Sequence, residues 1–515
     1  MFHRKDIAIS GSRALFEQLH HEMIATPDAV VTGSDGDQMG YPALLAEVAF
    51  LQRCLPSPKL AGHSAQEAEE TIALCCRKTP RGLAALLSVL ASGRAYAPLD
   101  PTHPQARLTG ILEDLRPAAL ILDDSTVPLL ADWAKETGTP LLNLSDLPQT
   151  APSPQEPVIA EQQLAAVLHT SGSTGKPKRA EIEAEALNIF QDWVVDELSL
   201  CIDDCLLSHA PFAFDLSFLD IYGALMAGAG LTLADAKTAR NGARLLELIT
   251  SSEVTVWHSA PSALKLLAEA AGNQVLPQMR CVLFAGEPMP ARTLQKLFVI
   301  FPNARFINIY GCTETNDTFF YEVPRINTPH LLPLGRKLPY VDYVIVDAKE
   351  QPQEGACEGE LWVRCLTMMR GYADAELTRR ATVEHQGQTY YRSGDQVRRD
   401  DEGLLHFVGR NDTIVKLNGV RVDLNEVDHL LQSHPKVDEG ASFLVETDAG
   451  KQLQAWVTSA DESLTSLDLR LLLGKQLPAA ALPRSYRITA DPIPKNSNGK
   501  ACRRQLATLA QQPPA

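Results

Sequence analysis

The sequence contains no CxxC pair, although it has ten cysteines. These are scattered over 515 residues, which excludes the disulfide framework of a small secreted domain. The N-terminal segment, MFHRKDIAISGSRALFEQLH, lacks the apolar core of a signal peptide. No stretch approaches the roughly 18 uninterrupted apolar residues of a membrane-spanning helix. We therefore expect a soluble, cytoplasmic protein.

Positive charge is also scarce. Lysine and arginine number 47 against 63 acidic residues, so the formal net charge is -16. Such a balance argues against non-specific binding to nucleic acid or to an anionic membrane surface. We expect neither as a partner, and any anionic ligand must bind at a local site.

Regular alternation of short apolar runs with helical segments predicts the fold class. VLFAG (282–286), RFINIYG (305–311) and YVIVD (343–347) are typical of strands, whereas LLELITSS and ARTLQKLFVIF have helical period. The pattern predicts an α/β protein whose large N-terminal domain contains β-sheets flanked by helices. From about residue 354, strands with Gly-rich turns predict a β-rich subdomain. A small C-terminal α+β domain follows, so we place the domains at 1–411 and 412–515.

The segment LHTSGSTGKPKRAEI (168–182) is the sharpest local signal. Small residues and hydroxyls can curve around an anion and offer backbone N–H groups, and Lys176 and Lys178 add positive charge. The spacing differs from a P-loop, because Pro177 stands where a magnesium-binding hydroxyl would be. The loop taken alone leaves a flexible surface turn and a phosphate site equally open.

Five further motifs occur along the chain. They are AYAPLDPTHPQARL (95–108), NIYGCTETN (308–316), YRSGD (391–395), GRNDTIVKLNGVRVDLNEVD (409–428) and PIPKNSNGK (492–500). With the phosphate loop, this series resembles the adenylate-forming (ANL) superfamily over nearly the whole chain. Within it, the sequence is similar to stand-alone amino-acid adenylation enzymes of nonribosomal peptide synthesis, and in particular to prolyl-carrier-protein ligases.

The resemblance implies that the protein is a ligase using ATP and Mg²⁺. Such enzymes convert a carboxylate to an acyl adenylate, in which AMP is a good leaving group, and then pass the acyl group to a thiol. The chemistry needs a pyrophosphate cradle, a divalent cation and charge neutralisation at the α-phosphate.

The resemblance also implies roles for individual residues. Thr313 would contact the α-phosphate, and Glu314 would hold magnesium. Asp395 would take the ribose hydroxyls, assisted by Arg410. The residues expected to line the β,γ-phosphate loop are Thr170, Ser171, Ser173, Thr174 and Lys178, and those expected around adenine are Gly286, Asn308 and Tyr310.

Three C-terminal residues complete the implied machinery. Lys500 would bridge the substrate carboxylate and the α-phosphate. Asp412 would be the hinge about which the small domain rotates between the two half-reactions. Lys416 would lie in the segment that faces the active site during thiol transfer, together with Gly419.

The segment HAPFAFDLSFLDIYGAL (209–225) resembles the amino-acid-activating branch, and Asp215 would pair with the α-ammonium of the substrate. The alternative is that Asp215 only caps a helix. Aligning the remaining motifs predicts a pocket lined by Leu216, Leu219, His258, Leu283, Ala285, Ile309, Asp317 and Thr318.

The pocket composition leaves the substrate open between two kinds of small amino acid. Leu216 and Leu219, together with Leu283, Ala285 and the TETN stretch (313–316), resemble the pocket of enzymes that load proline onto carrier proteins, which implies a proline-like substrate. The polar side chains of His258 and Asp317 favour a hydroxy-amino acid such as serine or threonine.

The predicted acceptor is the phosphopantetheine thiol of a separate carrier protein, because the chain contains no GGxS-like carrier signature. We expect a free-standing ligase. The alternatives are an acyl-CoA ligase that uses free coenzyme A, a nucleotide- or amino-acid-binding homologue without activity, and, disfavoured by the lack of a basic face, an aminoacyl-tRNA ligase.

Overall fold

A computed structural model describes residues 15–57, 71–148, 156–160, 163–170, 177–329, 331–410, 414–417, 419–447, 450–495 and 501–511. Within these ranges, no helix is both long enough and apolar enough to cross a membrane.

The helices begin and end as follows: α1 Leu15–Ala25, α2 Tyr41–Cys54, α3 Pro80–Ala91, α4 Gln105–Leu115, α5 Val127–Thr137, α6 Ala184–Leu198, α7 Leu216–Ala227, α8 Gly242–Ser251, α9 Pro261–Ala270, α10 Ala291–Ile300, α11 Ala375–Ala381, α12 Leu424–Gln432, α13 Ser466–Gly474 and α14 Arg503–Ala510. Short 3₁₀ turns cover Leu144–Asp146 and Ala479–Ala481.

The strands are β1 Val30–Gly33, β2 Gln38–Gly40, β3 Thr71–Cys75, β4 Ala95–Pro98, β5 Ala119–Leu122, β6 Leu141–Asn143, β7 Leu164–Thr170, β8 Lys178–Glu183, β9 Cys205–Ser208, β10 Gly230–Leu233, β11 Val256–Ser259, β12 Cys281–Ala285, β13 Arg305–Cys312, β14 Asn316–Glu322, β15 Arg336–Lys337, β16 Val341–Val346, β17 Cys357–Cys365, β18 Gly371–Tyr372, β19 Thr382–His385, β20 Gln388–Arg399, β21 Leu405–Arg410, β22 Ile414–Leu417, β23 Val420–Asp423, β24 Glu439–Thr447, β25 Gly450–Thr458 and β26 Ser485–Thr489.

Two large sheets contain most of the N-terminal strands. Among the described residues, one sheet has nine strands in the order β15-β14-β13-β12-β11-β9-β10-β1-β2, and the other has seven in the order β18-β8-β7-β4-β3-β5-β6. Strands β9 to β13 of the first sheet pair in parallel, with helices in the connections between them. This arrangement confirms the predicted α/β class.

Smaller sheets follow in the second part of the chain. Strands β16, β17, β20 and β19 form an antiparallel sheet to which β21 adds, as predicted for the β-rich subdomain. Strands β22 and β23 form a hairpin, and β24, β25 and β26 form a further sheet. The C-terminal residues combine helix α12 with strands β24 and β25, in agreement with the predicted α+β character.

The chain divides into two compact units. The first comprises 1–101, 115–168 and 179–409, and the second comprises 102–114, 169–178 and 410–515. The second unit therefore takes in two short segments from the N-terminal part of the sequence. One of them contributes Arg107, whose Nη1 donates a 2.7 Å hydrogen bond to Oε1 of Glu426 within this unit.

The two faces of the nine-stranded sheet bury different apolar clusters, because side chains alternate along each strand. Val256 and Leu283 belong to a cluster that includes Leu219 of α7. Trp257 and Val282, which lie between them in sequence, belong to a second cluster that includes residues of α8, α9 and α10. Helix α7 therefore covers one face of the sheet, and the predicted substrate pocket lies on that face.

Candidate active site

The turn between β13 and β14 carries the predicted α-phosphate and magnesium residues. A Cβ atom added at Gly311 would lie 2.2 Å from the carbonyl oxygen of Asn316, so only glycine fits where the two strands approach. This close approach forms the tight turn that contains Thr313 and Glu314. Thr313 is half-buried, and Glu314 is fully buried.

Glu314 is held by the segment around Tyr372. The Tyr372 hydroxyl donates a 2.5 Å hydrogen bond to Oε1 of Glu314, and the Met369 N–H donates to the Glu314 backbone oxygen at 2.9 Å. Tyr372 pairs with Ala180 of β8, so the same segment is fixed on the seven-stranded sheet. A carboxylate oriented in this way is a hard oxygen ligand of the kind that Mg²⁺ prefers, and Glu314 thus fits the predicted metal role.

Tyr310 and Asp395, predicted to contact adenine and ribose, are joined directly. The Tyr310 hydroxyl donates to Oδ2 of Asp395. Asp395 is buried, and its backbone N–H donates to Oγ of Ser393 at 3.1 Å. Ser393 in turn donates to the Leu361 carbonyl oxygen at 2.6 Å. The chain of contacts orients the Asp395 carboxylate, as an acceptor of two ribose hydroxyls requires.

The other predicted adenine residues lie on neighbouring strands. Asn308 of β13 is in register with Phe284 of β12, and its Nδ2 donates to the Pro333 carbonyl oxygen at 2.7 Å. Gly286 follows the end of β12 with φ +90°, a left-handed conformation that favours glycine. Both lie toward the carboxyl ends of parallel strands, where α/β sheets commonly bind ligands.

Asp215 is the N-cap residue of α7. Its Oδ1 accepts a hydrogen bond from the Leu216 N–H at 3.0 Å. A carboxylate at this position is also stabilised by the helix dipole. Asp215 therefore caps α7, as the alternative interpretation expects. This position puts the Asp215 carboxylate at the N-terminus of the helix that covers the predicted pocket.

The sheet beneath α7 brings together most of the predicted pocket residues. His258 is in register with Leu283, and Ala285 is in register with Ile309. All four are buried, as is Leu219 of α7, whereas Leu216 is half-buried. The four strand residues therefore lie together on one face of the sheet.

Two predicted pocket residues lie in the β13–β14 hairpin. Asp317 is opposite Gly311, near the turn that carries Glu314. Thr318 is fully buried, and its hydroxyl donates to the Tyr310 carbonyl oxygen at 3.1 Å. Neither is in register with His258 or Leu283, because β14 pairs with β13 and β15 and not with β11 or β12.

The second unit contains another group of predicted residues. Buried Thr170 ends β7, and Lys178 begins β8. Lys416 on β22 is in register with Arg421, and Gly419 has φ +78° in the turn of that hairpin. Arg410 ends β21, but its side chain is outside the described part of the structure. Predictions that fall entirely outside the described residues are Ser171, Ser173, Thr174, Asp412 and Lys500.

Sequence reasoning missed several buried polar groups of the first unit. They include Tyr372 and, close to the predicted pocket, Lys78 and Asp220. Asp220 Oδ1 lies 4.0 Å from Nδ1 of His258. Burial raises the pKa of Asp220, an effect that the charge of Lys78 opposes. In the sequence, the hint for Lys78 is a lysine that closely follows the apolar run of β3. The hint for Tyr372 is the glycine that precedes it.

Comparisons with known proteins identify the family of the chain. Residues 21–373 match the family of AMP-binding enzymes. The chain is 32% identical over 473 residues to an L-proline--[L-prolyl-carrier protein] ligase of Streptomyces coelicolor, an alignment that covers 87% of this chain and 88% of that protein. Among solved structures, the amide bond synthetase McbA from Marinactinospora thermotolerans has a TM-score of 0.83 and 25% identity, covering 96% of this chain and 99% of that chain.

Another relative is much longer than this chain. A dimodular nonribosomal peptide synthase of Bacillus subtilis is 29% identical over 508 residues, which are 96% of this chain but 21% of the synthase. The fold is that of the adenylate-forming enzymes. The chain belongs to the AMP-binding enzyme family, which confirms the resemblance seen in its motifs.

Proposed function

We propose that this protein activates a small amino acid with ATP and transfers it to the phosphopantetheine thiol of a separate carrier protein. In the first half-reaction, a carboxylate oxygen of the amino acid attacks the α-phosphorus of ATP, and pyrophosphate leaves. In the second, the thiol attacks the carbonyl carbon, the thiol proton is released, and AMP leaves. Amino-acid–carrier ligation is also the activity named for the Streptomyces coelicolor relative.

The observation that carries this proposal is the position of Asp215. Its carboxylate caps α7, and the same helix packs Leu219 into the cluster that contains Leu283, Ala285 and Ile309. A substrate bound there would place its ammonium at Asp215 and its side chain among small apolar groups. A carboxylic acid without the amine would leave the carboxylate uncompensated and would therefore bind poorly.

The nucleotide would bind at the opposite end of the site. Tyr310 and Asp395, which contact each other, would take the adenine and ribose, and Thr313 the α-phosphate. Glu314 would hold Mg²⁺, which neutralises phosphate charge when it is bound. From the resemblance, Lys500 would stabilise the charge that develops between the carboxylate and the α-phosphate.

The substrate class follows from the polarity of the pocket. Leu219, Leu283, Ala285 and Ile309 supply an apolar lining that fits a proline-like side chain. His258 adds one polar side chain, and burial lowers its pKa to about 4, so it is a neutral imidazole near pH 7. A neutral imidazole can donate to or accept from a substrate hydroxyl, which fits serine or threonine.

Amino-acid-dependent ATP–pyrophosphate exchange tests the activity. Each of the twenty amino acids is compared with the corresponding acids that lack the amine, and we expect proline, serine or threonine to be the best substrate. Mass spectrometry of a phosphopantetheinylated carrier then tests the acceptor. Free coenzyme A serves as the competing thiol, and equal rates of aminoacyl-CoA formation would favour the acyl-CoA ligase.

A substitution at Asp215 separates its two roles. Asparagine caps a helix as well as aspartate, so Asp215→Asn should preserve stability while it removes the charge. We expect amino-acid-dependent exchange to fall by at least about hundredfold, as for the loss of one partner of a buried ion pair. The matched control is Asp374→Asn, which changes the exposed cap of α11 and should leave exchange unchanged. Exchange at the wild-type rate in Asp215→Asn would contradict the assignment.

A further inference from the structure

Lys78 connects the two large sheets of the first unit. It lies in the turn between β3, in the seven-stranded sheet, and α3, which is capped by Thr79. Its Nζ donates to the carbonyl oxygen of Ser208 at 2.8 Å and to that of Ala210. Ser208 is the last residue of β9 in the nine-stranded sheet. A single ammonium thus crosslinks the ends of strands from different sheets.

The two carbonyl oxygens belong to the segment that leads to Asp215. This segment, residues 208–215, runs from the end of β9 to the N-cap of α7. Lys78 Nζ also lies 5.6 Å from the ring centroid of Phe212, within the range of a cation–π interaction. Lys78 therefore contacts three residues of the segment, Ser208, Ala210 and Phe212, all of which precede Asp215 in the chain.

His209 also fixes this segment. Its Nδ1 lies 3.0 Å from Oγ of Ser259, and its Nε2 lies 3.0 Å from the Ala239 carbonyl oxygen. Together, His209 and Lys78 account for polar contacts along the first half of the segment. The second half of the segment forms a turn, in which the Phe214 N–H donates a 3.0 Å hydrogen bond to the Pro211 carbonyl oxygen.

Stability alone is a poor explanation for a lysine at this position. The Lys78 side chain is buried, and burial lowers its pKa to about 7, while the charge of Asp220 opposes that shift. Removing an ammonium from water is costly, and an apolar side chain of similar size packs in such a site at lower cost. The property that an apolar side chain cannot reproduce is the donation of two charge-assisted hydrogen bonds to one short segment.

We propose that Lys78 is a positioning residue for substrate recognition, which holds residues 208–215 so that the Asp215 carboxylate meets the ammonium of the amino acid. This rests on the proposed function, because it takes Asp215 as the ammonium ligand. Lys78 would act through this segment and not through direct contact with the substrate or the nucleotide. Its loss should therefore affect the binding of the amino acid more than the binding of ATP.

The test is steady-state ATP–pyrophosphate exchange with Lys78→Met. We expect the KM for the amino acid to rise by about tenfold or more, as for the loss of hydrogen bonds from a charged donor, while the KM for ATP changes by less than about twofold. The preference for the amino acid over the corresponding acid without the amine should fall in parallel. A general loss of structure would not change that preference. The matched control is Lys265→Met, an exposed lysine on α9.

A second variant covers the case in which Lys78→Met does not fold. The double variant Lys78→Met/Asp220→Asn removes both buried charges, so it leaves no uncompensated carboxylate. We expect it to be folded and still to show the raised KM for the amino acid. Lys78→Arg, which keeps the charge and the donors, should restore part of the affinity.

The outcomes distinguish this proposal from the proposed function. If the wild-type protein shows no amino-acid-dependent exchange, the proposed function is wrong, and the assignment of Lys78 falls with it. If the wild-type protein is active and a folded Lys78 variant keeps the wild-type KM and the wild-type preference for the amine, only the assignment of Lys78 is wrong. An equal rise in the KM for ATP would also overturn it.

Discussion

The Tyr372 hydroxyl donates a 2.5 Å hydrogen bond to the Glu314 carboxylate, although the two residues are 58 positions apart in the chain. Both are buried. Glu314 lies in the β13–β14 turn of the nine-stranded sheet, and Tyr372 lies on β18 at the edge of the seven-stranded sheet. The contact therefore links the proposed magnesium ligand, in the nine-stranded sheet, to the edge of the seven-stranded sheet.

Removal of this hydroxyl should weaken the response to magnesium. In Tyr372→Phe we expect the Mg²⁺ concentration for half-maximal exchange to rise by about tenfold, since a hydrogen bond to a charged group contributes about 1.5–3 kcal/mol. Exchange rates measured over a Mg²⁺ titration give this value. Tyr343→Phe removes a hydroxyl from a half-buried ring that packs edge-on against Phe319, and it should leave the titration unchanged. An unaltered titration in Tyr372→Phe would show that Glu314 needs no such support.

The buried histidines make the first unit sensitive to acid. Burial lowers the pKa of both His209 and His258 to about 4, well below the 6.5 of an exposed imidazole. Between these pH values the unfolded chain binds more protons than the folded one, so the free energy of unfolding falls as the pH drops from 6.5 to 4. Each histidine contributes up to about 3 kcal/mol to this fall.

Urea denaturation monitored by tryptophan fluorescence, at a series of pH values, measures the effect. The free energy of unfolding of His258→Gln should decrease less steeply with falling pH than that of the wild type, because glutamine does not titrate. Identical slopes in the two proteins would mean that His258 is accessible to protons in the folded state.

The ion pair between Arg280 and Asp204 should stabilise the first unit. Arg280 donates through Nε and Nη2 to the two carboxylate oxygens, each at 2.6 Å. Burial opposes ionisation of Asp204, but hydrogen bonds from Arg280 and Thr255 outweigh it and lower the pKa of that carboxyl. Asp204 is 3% exposed and Arg280 is 34% exposed, so solvent weakens the pair from one side only.

Arg280→Met should lower the free energy of unfolding by about 2 kcal/mol, less than the loss of a fully buried partner because Arg280 is screened by solvent. Chemical denaturation measures the change. Arg379→Met removes an exposed partner of Glu376 and should have no measurable effect. Equal stability of Arg280→Met and the wild type would show that Asp204 gains nothing from its bidentate partner.

Local patterns predicted the elements that carry the site. The run RFINIYG became β13, and ARTLQKLFVIF became α10, because apolar periodicity and turn residues act over a few neighbouring positions. Motif order also predicted the family, which the comparisons confirm.

The proposed roles of the motif residues depend on how distant segments meet. The motifs placed Tyr310 and Asp395 in one nucleotide site, and their contact agrees with that prediction. Of the predicted pocket set, His258, Leu283, Ala285 and Ile309 share a sheet face, and Asp317 lies opposite Gly311 on β14. Sequence spacing alone could not place Asp317, because its position depends on the register of β14 beside β13.

The sequence by itself determined the α/β class, the negative charge and the family, because these depend on composition, periodicity and motifs within single segments, and the same motifs nominate the residues of the candidate site. Only the tertiary structure decided that Tyr372 orients Glu314, that Lys78 holds the segment leading to Asp215, and that 102–114 and 169–178 group with the C-terminal residues. Contacts of this kind join residues that topology alone brings together. A buried tyrosine or lysine resembles any other in sequence, until the fold shows which carboxylate or carbonyl oxygens lie within hydrogen-bonding distance.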